Sequence, residues 1–181
     1  NSATSQVPYT VTASALDRFN TRAYTNSDGT LPWTGNWLEV NEGTSPTAGY
    51  IQTAADGTNQ YTLRFERGGY GIYRLIDLSL YKRATLEFTY RRSALDDATD
   101  YMAIQASANG GGAWTEILRI DGTANDTGYR LTNATLSSYI STNTAIRFYA
   151  NGINSGDQVF FDNVTITAER RLYTNAAVAL P

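Results

Sequence analysis

The sequence predicts an all-β protein, a jelly-roll β-sandwich of roughly ten antiparallel strands with an extra N-terminal strand. Three observations carry this expectation. Thirteen tyrosines, 15 glycines, Thr at roughly one position in seven and only 17% charged residues suit pleated, half-wet surfaces better than helices. Apolar and polar side chains alternate with period two along most of the chain. Turn-forming clusters interrupt that alternation at intervals typical of a sandwich.

The strands can be taken in chain order. Val7, Tyr9, Val11 and Ala13 alternate with Pro8, Thr10, Thr12 and Ser14; Pro8 has no amide to donate, so this strand belongs at an edge. Trp33 to Val40 and Gly49 to Thr53 follow, then Tyr61, Leu63 and Phe65 against Thr62, Arg64 and Glu66. Gly71 to Ile76 precedes a strand in which Leu86, Phe88 and Tyr90 face away from Thr85, Glu87, Thr89 and Arg91. Met102, Ile104 and Ala106 form another apolar face, followed by Trp114 to Asp121, then Ile146, Phe148 and Ala150, and finally Val159 to Thr167. Asn26-Ser27-Asp28-Gly29, Ala55-Asp56-Gly57, Gly68-Gly69, Asn109-Gly110-Gly111-Gly112 and Asn151-Gly152 are the turns between them. Leu136 to Ser141 is the one helical hint, a single turn. The chain divides into an N-terminal tail and candidate donor strand (1–15), the sandwich (16–168) and a C-terminal extension (169–181).

Composition narrows the function. At 181 residues the chain makes one domain, and its net charge of −3 lacks the positive excess that phosphate backbones or anionic lipids attract, so nucleic acid is not an expected partner. With no Cys and no His there is no thiolate, no imidazole base and no common catalytic zinc site, which excludes serine, cysteine and zinc hydrolases. No apolar run is long enough for a membrane helix, so no membrane insertion is expected. The Ser-, Thr-, Asn- and Gly-rich polar set is common on secreted bacterial β-proteins, and the polar opening Asn1 to Gln6 suits a position just after a cleavage site.

Asp17-Arg18-Phe19, Tyr24 to Thr30, Trp33 and Trp37 with Glu39, Leu75-Ile76-Asp77-Leu78-Ser79, Ala84 to Tyr90, Leu95-Asp96, Tyr101 to Trp114, Ile146-Arg147-Phe148 and Phe161-Asp162-Asn163-Val164 form an ordered set. Through it, from about Asp17 to Thr167, the chain resembles the jelly-roll modules, similar to MAM and galactose-binding-like domains, of large secreted and cell-surface bacterial proteins. The resemblance implies a sandwich architecture and an extracellular or cell-surface location, and calcium in such jelly rolls is structural. Residues 107 to 114, Ser-x-Asn-x-Gly-x-x-Trp, also resemble an Asp-box hairpin with Asn109 in the place of Asp, a structural turn rather than an active site.

Four sets of candidate functional residues emerge. The first is the opening strand: carried by Val7, Tyr9, Val11 and Ala13, it either folds back on its own domain or completes the sheet of a neighbouring copy, which would make the chain a non-enzymatic subunit of a filament or surface layer. The second is a structural calcium site. Strand parity puts Asp162 on the face of Phe160, Val164 and Ile166, where a carboxylate needs a partner, and Asp17 stands in a similar relation to Phe19. The alternative for Asp162 is a set of backbone amides or an Arg. Third, Trp33, Trp37, Tyr50, Tyr70 and Tyr73 are candidate glycan contacts for a carbohydrate-binding or adhesion module, although aromatic residues in a sandwich more often fill the core. Last, Asp96, Asp97 and Asp100 form the tightest acidic cluster, which is ordinarily a solvated loop. The leading expectation is the self-assembling extracellular subunit, with glycan binding as the alternative.

Overall fold

The computed structural model describes residues 4–57 and 60–177. Its strands are β1 (Thr4–Asp17), β2 (Leu38–Val40), β3 (Ile51–Ala55), β4 (Tyr61–Phe65), β5 (Gly71–Ile76), β6 (Arg83–Ser93), β7 (Tyr101–Ser107), β8 (Thr115–Asp121), β9 (Arg130–Thr135), β10 (Thr144–Asn151) and β11 (Gln158–Ala177). A 3-10 turn at Ser137–Tyr139 stands where the sequence predicts one helical turn. The strands pair antiparallel in two sheets, one ordered β3-β4-β11-β6-β9 with β1 also on β11, the other ordered β2-β5-β10-β7-β8.

The sheets face each other across an aromatic core. Phe148 of the five-stranded sheet lies 5.3 Å from Phe88 and 4.6 Å from Phe161 of the other, measured between ring centres. Ile72, Ile76, Met102, Ile104 and Ile146 fill the layer beside them. These are the inward members of the period-two faces, so burial of alternate side chains sets the register of each strand.

The 20-residue strand β11 organises the six-stranded sheet. Along one edge it pairs with β6; along the other, β4 and then β1 lie end to end. A bulge between Asp162 and Thr165, with Asn163 at φ 53°, inserts a residue and reverses the alternation. Val159 and Phe161 point inward before it; Val164, Ile166 and Ala168 do so after it.

The donor-strand expectation is corrected here. β1 finds its mates in its own chain: it runs antiparallel to β11 from Thr4 opposite Ala177 to Asp17 opposite Val164. Residues 4–17 and 164–177 are thus the two halves of one ribbon. Main-chain hydrogen bonding that would have joined copies is made within the molecule, while Val11 and Ala13 are half-buried against the body and Val7 and Tyr9 remain 49% and 45% exposed on the ribbon. β11 is the only strand paired with β1 among the described residues, so Pro8 sits on an edge strand as the missing amide requires. Docking of the apolar stretch 176–180 falls largely outside the described residues.

Asp17 and Arg74 form an ion pair between the sheets. Their side chains are 0% and 2% exposed, and Arg74 Nη1 donates to Asp17 Oδ2 at 2.9 Å. The Phe19 amide and the Trp37 indole also donate to the Asp17 carboxylate, at 2.8 and 2.9 Å. Arg74 donates further to the carbonyls of Gly35 and Asn26, and its guanidinium stacks 4.9 Å from the Trp33 ring centre. Burial pushes the Asp17 carboxyl up against the pull of these donors, and burial likewise lowers Arg74 to about 10. Removing one member of such a pair leaves an uncompensated buried charge. Asp17→Ala should cost about 3–5 kcal/mol in urea denaturation, whereas Asp17→Leu combined with Arg74→Met should come much closer to the parent. Equal losses in the single and double variants would show that the pair does not act as a unit.

Candidate functional site

Each sheet has an outer face. On the six-stranded sheet the outward members of β6 are Thr85, Glu87, Thr89 and Arg91, with Arg91 lying 4.3 Å from the Phe160 ring centre and Leu131 of β9 exposed beside them. On the five-stranded sheet the outward positions form cross-strand rows. One row runs Leu38, Tyr73, Arg147, Gln105, Glu116; the next runs Val40, Gly71, Tyr149, Ala103, Arg119; a third holds Asn151, Tyr101 and Asp121. Trp114, at the foot of the 107–114 hairpin, leans onto the first row with its ring centre 5.9 Å from that of Tyr73.

Small residues in these rows let the large ones lie down. A Cβ on Gly71 would come within 2.6 Å of Tyr149 Cδ2, so the Tyr149 ring rests directly on the bare backbone there. Its hydroxyl donates to the Gly69 carbonyl at 3.2 Å, and the same carbonyl accepts from Asn41 Nδ2 at 2.6 Å. Ala103 and Ala145 lie beneath the neighbouring large side chains and are buried although they face outward.

Arg147 is held between two rings, 4.4 Å from the Trp114 centre and 5.0 Å from that of Tyr149, and its Nε donates to Gln105 Oε1 at 2.6 Å. Its other guanidinium nitrogens donate to no described residue. Burial among these groups lowers its pKa. At the far side Arg119 stacks 3.9 Å from the Tyr101 centre while paired with Glu116. The face therefore presents flat rings, planar guanidinium and amide groups, and fixed donors on rigid strands. Such a surface can bind a ligand that combines apolar faces with in-plane hydroxyls.

The hairpin carrying Trp114 matches its sequence expectation. Ser107 Oγ accepts from the Gly111 amide and Asn109 Oδ1 from the Ala113 amide, while Gly110 and Gly111 take φ of 70° and 99°.

The other candidate residues are redistributed. Trp33 and Trp37 are core, not glycan contacts, because Asp17 and Arg74 draw them between the sheets. Tyr73 lies on the face just described. Tyr70 is half-buried and pairs with exposed Tyr50 at 4.9 Å at one end of the sandwich, where Tyr50, Arg67 and Asp157 help line a cavity of about 290 Å³. Asp17 and Asp162 do not form a calcium ligand set. Arg74 already compensates Asp17 inside, and the bulge turns Asp162 outward beside Phe160, opposite Thr89, where its Oδ1 accepts from the Asn163 amide at 2.7 Å. That amide contact is the alternative anticipated for Asp162. Tyr149, Tyr101, Arg147 and Gln105 were missed, although the apolar alternation of Ile146, Phe148 and Ala150 already implies that Arg147 and Tyr149 share the opposite face.

No family model and no curated protein sequence matches the chain. Solved structures do. A carbohydrate-binding module of family 61 in complex with β-1,4-galactotriose superposes with a TM-score of 0.53 at 13% identity, covering 86% of this chain and 94% of that one. The fold is a jelly-roll β-sandwich. A xylan-binding module of family 15 gives 0.51 at 18% identity over 75% of this chain and 92% of that one. The family 22 xylan-binding domain of Paenibacillus barcinonensis Xyn10C gives 0.51 at 8% identity over 84% and 92%. At these identities the jelly roll shares an architecture with its neighbours. Among the described residues no helix is long and apolar enough to cross a membrane.

Asp162 supplies a pH test of the bulge geometry. Burial, then the nearby Asp17 and Asp56 carboxylates, raise its pKa to about 6, against the pull of the Asn163 amide and Arg18. A carboxyl whose folded-state value is raised leaves stability intact below its unfolded value near 4 and removes stability as pH climbs through 6. Asp162→Asn should therefore stabilise the protein by up to about 2 kcal/mol at pH 7 and have almost no effect near pH 4, read from urea midpoints. A gain of equal size at both pH values would contradict the assigned environment.

Proposed function

We propose that the chain is a non-catalytic carbohydrate-binding module acting outside the cell, and that it binds its glycan across the outer face of the five-stranded sheet. The observation carrying this reading is the Tyr73, Trp114, Arg147, Gln105, Tyr149 and Tyr101 surface, where half-buried rings and planar polar groups gather on one face of the sheet. Flat rings pack against the apolar faces of pyranose rings, while Arg147 and Gln105, held at 2.6 Å from each other, are placed for the equatorial hydroxyls. Three rows two residues apart span about 14 Å, room for a short run of sugar units.

The solved neighbours support the choice of ligand class. β-1,4-Galactotriose, xylan and, for a family 29 module matching at TM-score 0.50, cellohexaose are the ligands named with them. An unbranched β-1,4-linked polysaccharide is the ligand class proposed here. A family 22 module beside a second module in a Clostridium thermocellum xylanase, with a TM-score of 0.53, supports a setting beside other domains.

Calorimetric titration with β-1,4-galactan, xylan and cello-oligosaccharides checks the proposal. At least one should bind, and Tyr149→Ala and Tyr73→Ala should each weaken that binding tenfold or more, the equivalent of about 1.4 kcal/mol, in variants that remain folded and melt cooperatively above the titration temperature. Leu131→Ala, on the outer face of the other sheet, should bind as the parent does. No binding in the whole panel, or binding untouched by both tyrosine variants, would refute the assigned face.

A further inference from the structure

We propose that Asp96, Asp100 and Asp157 bind a calcium ion that ties the loop after β6 to the loop before β11. The three carboxylates each place an oxygen within 4.8 Å of the others, although Asp157 is distant from the other two in sequence. That separation is twice the calcium–oxygen distance of about 2.4 Å, the span of two ligands across one ion.

A second observation points to a missing partner. Asp100 is 0% exposed, and while its Oδ2 accepts from the Asp97 amide at 3.1 Å, its Oδ1 is buried with no hydrogen-bond partner. Oδ1 is aimed across at the loop that carries Asp157: a Cβ on Gly152, the first residue of that loop, would lie 2.8 Å from it. A buried carboxylate oxygen without a donor is costly, and a bound cation removes that cost.

No Lys or Arg compensates the group, since none of the three forms an ion pair among the described residues. Three acidic side chains with only oxygen to offer select a hard cation, and calcium accepts irregular ligand sets drawn from loops more readily than magnesium. Water and loop carbonyls would complete the six to eight oxygens calcium takes. This site is separate from Asp17 and Asp162, and it does not depend on glycan binding.

Thermal melting of the chain after treatment with EDTA and desalting provides the test, with calcium chloride or magnesium chloride added back at millimolar concentration. Calcium should raise the melting temperature by roughly 5–10 °C when in hundredfold excess over its Kd, and magnesium by much less. Asp157→Asn and the exposed-position variant Asp96→Asn should each abolish most of the rise, and Asp162→Asn should keep it. Asp96→Asn replaces a solvent-facing side chain and preserves a folded protein in which to read the effect. Lack of a calcium response in the parent, a full response in both loop variants, or a response lost only in Asp162→Asn would each overturn the proposal.

Discussion

The buried contact between Asp17 and Arg74 is the constraint from which the arrangement of this molecule follows. A carboxylate and a guanidinium placed between two sheets are tolerable only if nearly every polar atom is satisfied. The surrounding chain is shaped to do that: Phe19 turns its amide back to Asp17, Trp37 offers its indole, and Gly35 and Asn26 offer carbonyls to Arg74. The long connection between β1 and β2 is pinned over the core by these bonds, with Trp33 and Trp37 covering the guanidinium. The same pair fixes the inner end of β1, so that the strand leaves the sandwich alongside β11 as a ribbon of its own chain.

Parity then decides the surface. With Ile72, Arg74 and Ile76 committed inward on β5, Tyr73 must face out; with Ile146, Phe148 and Ala150 inward on β10, so must Arg147 and Tyr149. Antiparallel pairing brings these outward residues into the same rows, and glycine and alanine beside them let rings lie flat. The binding surface thus rests on regular strands, whose positions are set by core packing, and needs little ordering when a ligand arrives.

Much of this was legible in the chain itself. The strands follow from period-two alternation because each buries one face, and the 107–114 hairpin follows from Ser107, Asn109 and its glycines because those contacts are local. Features that depend on distant partners were not legible. The inserted residue at Asn163 reverses strand parity and sends Asp162 to the opposite face from Val164, a change no count of alternation across it can show. Trp33 and Trp37 look like loop aromatics until Arg74 reaches them from β5. Asp157 joins Asp96 and Asp100 only through the juxtaposition of two loops. The opening strand read correctly as an edge strand through Pro8, while the identity of its partner rested on the far end of the same chain.

The most direct test of the central claim, that the flat face of the five-stranded sheet is where the glycan lies, is an amide and indole NMR titration with xylohexaose, cellohexaose and β-1,4-galactotriose. The Trp114 indole and the amides of residues 71–73, 103–105 and 147–149 should shift together and saturate at a common concentration. Shifts gathered instead around Tyr50, Arg67 and Tyr70, with the sheet face silent, would contradict it.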